Sequence, residues 1–189
     1  MKFKFLIFLF LLSFLLQGYK YEYHVEPLNA SCNAADRNNQ GIAYMEMGQY
    51  NHAIASFKLA IKLSPNAPAS AAYYNNLGLA YMRLGAYSLA EPCFKKSAEL
   101  NPVFIEYYIN LVSVYAKNGT IHNELEKYNL RISSDDNDSM AYFMQGLIYK
   151  QLGEDEKAVR SLKKYTSIEK ENVLSRGAKQ LISEIKDKK

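Results

Sequence analysis

Gly41-x-x-Tyr44 … Gly48-x-Tyr50-x-x-Ala53-x-x-x-Phe57 … Pro65 returns as Gly78-x-x-Tyr81 … Gly85-x-Tyr87-x-x-Ala90-x-x-x-Phe94 … Pro102. The second copy lies 37 residues after the first, with every one of these residues in register. A period of this size describes a stack of short helical units, none of which can bury its apolar face alone. Such a stack presents an extended surface, so recognition is a more natural task for it than pocket chemistry.

Each copy reads as two helices joined by a tight turn. Gly48, Gly85, Gly119 and Gly153 fall where a helix ends in a left-handed residue. Gly41, Gly78 and Gly146 instead fall inside the first helix of a pair, where glycine costs about 1 kcal/mol against alanine. Close approach of the second helix would offset that cost. Ala53, Ala90 and Ala158 are the small residues expected at the approach, with Phe57, Phe94 and Leu162 one turn on. Pro92 is expected in the first turn of its helix, where a missing N–H costs little. The insertion Asn66-Ala67-Pro68-Ala69-Ser70 lengthens one turn, and Ser70 is expected to cap the next helix.

These glycine, alanine, aromatic and proline positions resemble the tetratricopeptide-repeat (TPR) family. Two weaker copies follow. Tyr108-x-x-Leu111-x-x-x-Tyr115-x-x-x-Gly119 opens a third, which departs at Val112, Glu124 and Asp136; Tyr142-x-x-x-Gly146-x-x-Tyr149 opens a fourth, with Tyr165 and Lys170 in place of a small residue and the closing proline. The resemblance implies an all-α protein, a right-handed α-solenoid of about four helix pairs. The repeats are expected at 34–67, 71–104, 105–138 and 139–172. Val173, Leu174, Ala178, Leu181, Ile182 and Ile185 mark one face of a further helix at 173–187, expected to cap the last repeat.

The N-terminus carries a different signal. Met1-Lys2-Phe3-Lys4 precedes the 12-residue apolar run Phe5 to Leu16, a length suited to a secretory signal and short of the ~20 residues of a bilayer span. Residues 1–18 are therefore expected to be a signal peptide or an uncleaved signal-anchor, giving an exported protein and a possible membrane tether through residues 5–16. Residues 19–33 form a polar tether in this reading. Cys32 is not expected to be lipidated, because Asn29 stands where an aliphatic residue is wanted. Cys32 and Cys93 are expected as free thiols. Asn29, Asn118 and Asn137 each open a glycosylation acceptor triplet.

Other chemistries find little support. The net charge of +4 includes Lys2 and Lys4, and the remaining charges are interspersed, unlike the basic stripe that nucleic acid requires. Tyr44, Tyr81, Tyr115 and Tyr149 fall on repeat positions and are expected to pack between helices. His24, His52 and His122 are dispersed, with no nucleophile or paired carboxylates beside them. No phosphate-cradling loop or metal-ligand spacing is present. The expectation is no enzyme activity, no cofactor and no metal.

In the family resembled, the first helix of each pair lines a concave groove that holds peptide segments. Carried over by pattern, the groove positions are Asn39, Ile42 and Met45, then Asn76, Leu79, Met82 and Arg83, then Asn110 and Lys117, then Phe143 and Leu147, with Met144 beside them. Asn39, Asn76 and Asn110 repeat at one place. Their amides would either pair with an extended peptide backbone or bridge neighbouring repeats. The apolar members would give an adaptable groove. The family's carboxylate-clamp mode is argued against, since Glu106 and Asn110 stand where two basic residues would be needed. The expected function is a noncatalytic adaptor binding a protein or peptide partner. Its alternatives are a structural component of an envelope secretion, pilus or lipid-handling machine, or a regulatory subunit of an enzyme.

Overall fold

A computed structural model describes residues 34–187, and between short turns these are helical. The expected signal and tether, with His24, Cys32 and the Asn29 triplet, lie outside the described residues. The helices are α1 (Ala34–Glu46), α2 (Tyr50–Leu63), α3 (Ser70–Arg83), α4 (Tyr87–Leu100), α5 (Ile105–Asn118), α6 (Ile121–Ser134), α7 (Ser139–Gln151), α8 (Asp155–Ile168) and α9 (Val173–Asp187). Each pairs with its neighbour in sequence, α1 with α2, α3 with α4 and α7 with α8 most closely. The architecture is the all-α solenoid expected from the repeat.

The interior glycines explain that closeness. A Cβ on Gly78 would stand 2.8 Å from Phe94 Cε1, one on Gly41 2.6 Å from Phe57 Cδ1, and one on Gly146 2.6 Å from Leu162 Cγ. Carbon contacts normally sit at about 3.5–4.0 Å, so only glycine lets these side chains in. Phe57, Phe94 and Leu162 are fully buried as a result, as are Ala53, Ala90 and Ala158. Burying each large side chain stabilises by roughly 1.5–3 kcal/mol, more than the helix loses by carrying a glycine. The turn glycines Gly48, Gly85, Gly119 and Gly153 all have φ between 71° and 77°.

The third repeat lacks this lock. Val112 occupies the glycine's place, and α5 and α6 pack far less closely than the other pairs. Only Ile121 and Tyr128 of α6 are buried. Tyr128 shares the interior with Tyr115, whose hydroxyl is pushed well above its ordinary pKa by burial first and by Tyr128, Glu124 and Glu91 next.

The repeat tyrosines are met by cations or a ring from second helices. Lys58 lies 5.8 Å from the Tyr81 ring, Lys95 5.7 Å from Tyr115 and Lys157 5.3 Å from Tyr149, while His52 sits 5.3 Å from Tyr44. Tyr115 is fully buried and the other three are partly so. In the fourth repeat, Tyr165 packs 5.0 Å from Phe143, which meets Tyr108 edge-on at 5.3 Å.

Two local expectations are corrected. Pro92 lies beyond the first turn of α4; it is solvent-exposed, as is Ser88, so the carbonyl left without its helical donor faces water. Ser70 does not cap α3. Its hydroxyl instead turns back to the Ser64 carbonyl, while the backbone of the inserted segment already closes with Ser70 N–H to Ala67 O at 2.8 Å.

Candidate functional site

The first helices of successive pairs, α1, α3, α5 and α7, touch in order and make a continuous face. Polar residues tie its open part together. The Asn76 amide donates to Asn38 Oδ1 at 2.9 Å, and the Asn110 amide donates to Asn75 Oδ1 at 2.8 Å. Of the two roles open to the asparagine row, Asn76 and Asn110 thus take the bridging one. Asn39, at the same place in α1, is exposed.

The apolar positions change character along the face. Ile42 on α1 is 38% exposed and Leu79 on α3 is partly buried, but Leu147, in register on α7, is only 2% exposed. Phe143 is completely buried and Met144 nearly so. Phe143 and Leu147 were expected to line an open groove, and their burial corrects that. Phe143 is held between Tyr108 and Tyr165, and Leu147 lies under α9.

Helix α9 packs on α8 and also reaches back to α5. Its Leu174, Ala178, Leu181, Ile182 and Ile185 join one core with Met144 and Leu147. At its start, a Cβ on Gly177 would be 3.3 Å from Ile105 Cγ2. Toward its end, Ile185 shares a cleft of about 290 Å³ with Ile109, Val112, Leu147, Lys150, Gln151 and Asp155. The chain therefore fills the last section of its own face with an amphipathic helix. Val173 remains exposed.

What stays accessible is Ile42, Met45, Leu79 and Met82, bordered by Asn39, Arg83 and Lys117. Arg83 and Lys117 hold the same place in α3 and α5, with Glu46 at that place in α1. Both cations are exposed, and neither they nor Lys150 makes an ion pair or hydrogen bond among the described residues. Glu106 is exposed in the first turn of α5.

Some contacts escaped sequence reasoning. Gln145 donates to Asn129 at 2.7 Å and accepts from the Ser161 hydroxyl at 2.6 Å, joining α6, α7 and α8. Nothing in the repeat pattern marks these residues; only their polarity on otherwise apolar helix faces was a signal. Leu130, 63% exposed on α6, and Phe104, 47% exposed before α5, also fell outside the pattern.

Among the described residues no group of His, Cys, Asp and Glu is placed to hold a metal, and no helix is long and apolar enough to cross a membrane. His52 and His122 are exposed and far apart in the repeat order. Burial pushes the Cys93 thiol up to about 11, opposed weakly by Lys58.

Comparison with known proteins now has a geometry to rest on. Family models described as TPR repeat and tetratricopeptide repeat match residues 41–85, 71–104 and 141–172, leaving the divergent stretch 105–140 between them. Among curated proteins none matches the chain. Among solved structures, one of MamA is 29% identical, covering 73% of this chain and 79% of its own, with a TM-score of 0.48. A structure of YrrB, described as a TPR protein with an unusual peptide-binding site, is 23% identical over 79% of this chain and 76% of its own, with a TM-score of 0.45. A tetratricopeptide repeat protein from Parabacteroides merdae is 21% identical over 82% of this chain and 60% of its own, with a TM-score of 0.49. The chain belongs to the tetratricopeptide-repeat family.

Proposed function

We propose that this protein is a noncatalytic adaptor that holds a segment of a partner protein against the open part of its first-helix face. The observation that carries this reading is the accessible row Ile42, Met45, Leu79 and Met82. Its in-register continuation at Leu147 is buried. Apolar side chains left accessible on a polar-rimmed face mark an interaction surface, and methionine suits one that adapts to its occupant. The setting, from the basic and apolar N-terminus, is an exported or membrane-tethered one.

The site positions Asn39, Ile42, Met45, Leu79, Met82, Arg83 and Lys117 stand in this proposal. Asn76 and Asn110 support them from between the repeats, and Phe143 and Leu147 drop out. Leu79→Asp tests it. The side chain is partly buried against the core, so the urea midpoint is measured alongside capture, while a carboxylate in the apolar row should repel the occupant. Loss of partner capture from the source organism's envelope fraction, with far-UV circular dichroism unchanged, is the expected result. Undiminished capture would remove the face from consideration.

A second reading, a permanent component of an envelope assembly, is favoured by Leu89 and Leu130, which are exposed on the second helices α4 and α6. Leu130→Glu discriminates: it should disrupt a stable stoichiometric complex on size-exclusion chromatography and leave an adaptor's capture intact.

A further inference from the structure

We propose that the occupant of the open face is an amphipathic helix with carboxylates on its polar side, seated as α9 is seated on the neighbouring section. This rests on the adaptor reading above and narrows its partner to one chemistry.

The first argument is that α9 already shows which shape the face accepts. It covers Leu147 and reaches Ile105 and Ile109 with residues spaced along one helical stripe, Leu174, Ala178, Leu181, Ile182 and Ile185. The positions it leaves uncovered, Ile42 and Leu79, lie in register with Leu147. A helix laid there meets the same kind of surface, because the row of first helices is continuous. Helix-in-groove recognition uses this spacing of apolar anchors.

The second argument weighs against the extended-strand alternative. A strand is held chiefly through its backbone, by side-chain amides that offer both a donor and an acceptor. Here the amides of Asn76 and Asn110 already donate to Asn38 and Asn75. A helix satisfies its own backbone and needs only apolar contact.

The third argument is charge. Among the described residues, Arg83 and Lys117, at one repeat position near the ends of α3 and α5, have no carboxylate bound to either of them, and Glu46 holds that position in α1. Rim charges of one sign select partners of the other and discriminate against like-charged ones. A partner helix with Asp or Glu beside its apolar stripe complements both cations.

Three synthetic peptides based on residues 172–187 serve as probes of the full-length protein by fluorescence anisotropy. All keep the apolar residues of α9; the first carries glutamates at its polar positions, the second lysines, and the third is the glutamate peptide with a central proline. The expected result is binding of the glutamate helix, at least tenfold weaker binding of the lysine and proline peptides, and loss of binding in Leu79→Asp. Arg83→Glu with Lys117→Glu should reverse the preference between the charged peptides. Equal binding of the proline peptide overturns the helical assignment, and equal binding of the lysine peptide overturns the acidic one. In either case, sensitivity to Leu79→Asp leaves the adaptor face standing. Binding indifferent to Leu79→Asp overturns both. Binding of no probe overturns the helix, while the capture experiment still decides the face.

Discussion

Asn76 gives its side-chain amide to Asn38 across 2.9 Å, from the first helix of one repeat to the first helix of the repeat before. Asn110 does the same to Asn75 at 2.8 Å. Asn38 is 8% exposed, so the Asn76 amide satisfies a carbonyl that water reaches poorly. The asparagines hold successive helices in register, and the specificity of the face falls to the apolar and charged residues around them.

A double-mutant cycle measures that role. Asn38→Ala and Asn76→Ala should each cost about 1 kcal/mol, the net value of a typical hydrogen bond. The double mutant should cost clearly less than their sum. Asn39→Ala, exposed and outside any such pair, should leave the urea midpoint unchanged.

Gly78→Ala should destabilise in spite of alanine's better helix propensity. The new Cβ would press on the Phe94 ring, which is fully buried and would have to shift. Overpacking of this kind typically costs 1–3 kcal/mol, as an order-of-magnitude range. Adding Phe94→Leu should recover part of the loss in urea unfolding. A gain in stability from Gly78→Ala alone would show that the helices are not locked at this point.

The α9 seat can be opened by Leu181→Asp. Leu181 is 4% exposed within the core that includes Met144 and Leu147, and a carboxylate there has no partner. A loss of roughly 3–5 kcal/mol is expected from a lost core side chain plus an unpaired buried charge. Thermal unfolding should shift down by many degrees, and a hydrophobic dye should bind the uncovered face.

Alkaline pH should weaken the fold in a defined window. Burial, followed by Tyr165 and Tyr128, pushes the Tyr108 hydroxyl up to about 12, against an ordinary value of 10.0. The folded state therefore favours the neutral phenol, which donates to Pro102 O at 3.2 Å. Below pH 10 this phenol is neutral in both folded and unfolded chains and adds no pH dependence. Between about 10 and 12 the unfolded chain gains by ionising while the folded one does not, so stability falls. Urea midpoints measured across this range should drop, and Tyr108→Phe should lessen the slope.

Much of this was legible in the residues. Gly41, Gly78 and Gly146 announced close helix contacts because an unfavourable residue recurring inside a helix needs a steric reason, and Phe57, Phe94 and Leu162 supplied it. The groove was less legible. The repeat pattern places Phe143 and Leu147 on the groove, yet Phe143 is buried between Tyr108 and Tyr165, and Leu147 by the path of α9, set by packing far along the chain. Asn76 carried two consistent roles because periodicity says which helix face a residue occupies but not whether its neighbour across the repeat is also an asparagine at the right height. Pro92 was misplaced by less than a turn, the ordinary uncertainty of a helix boundary.

Helix α6 has a consequence of its own. With Val112 in the glycine's place, α6 is held loosely against α5, while α5 and α7 touch each other directly. The stack is therefore continuous without it. In native-state hydrogen exchange α6 should open first and alone, a local unfolding step that leaves the helices on either side protected. The most divergent repeat gives the molecule a separately meltable segment, so proteolytic nicking within 121–134 would leave the recognition face assembled.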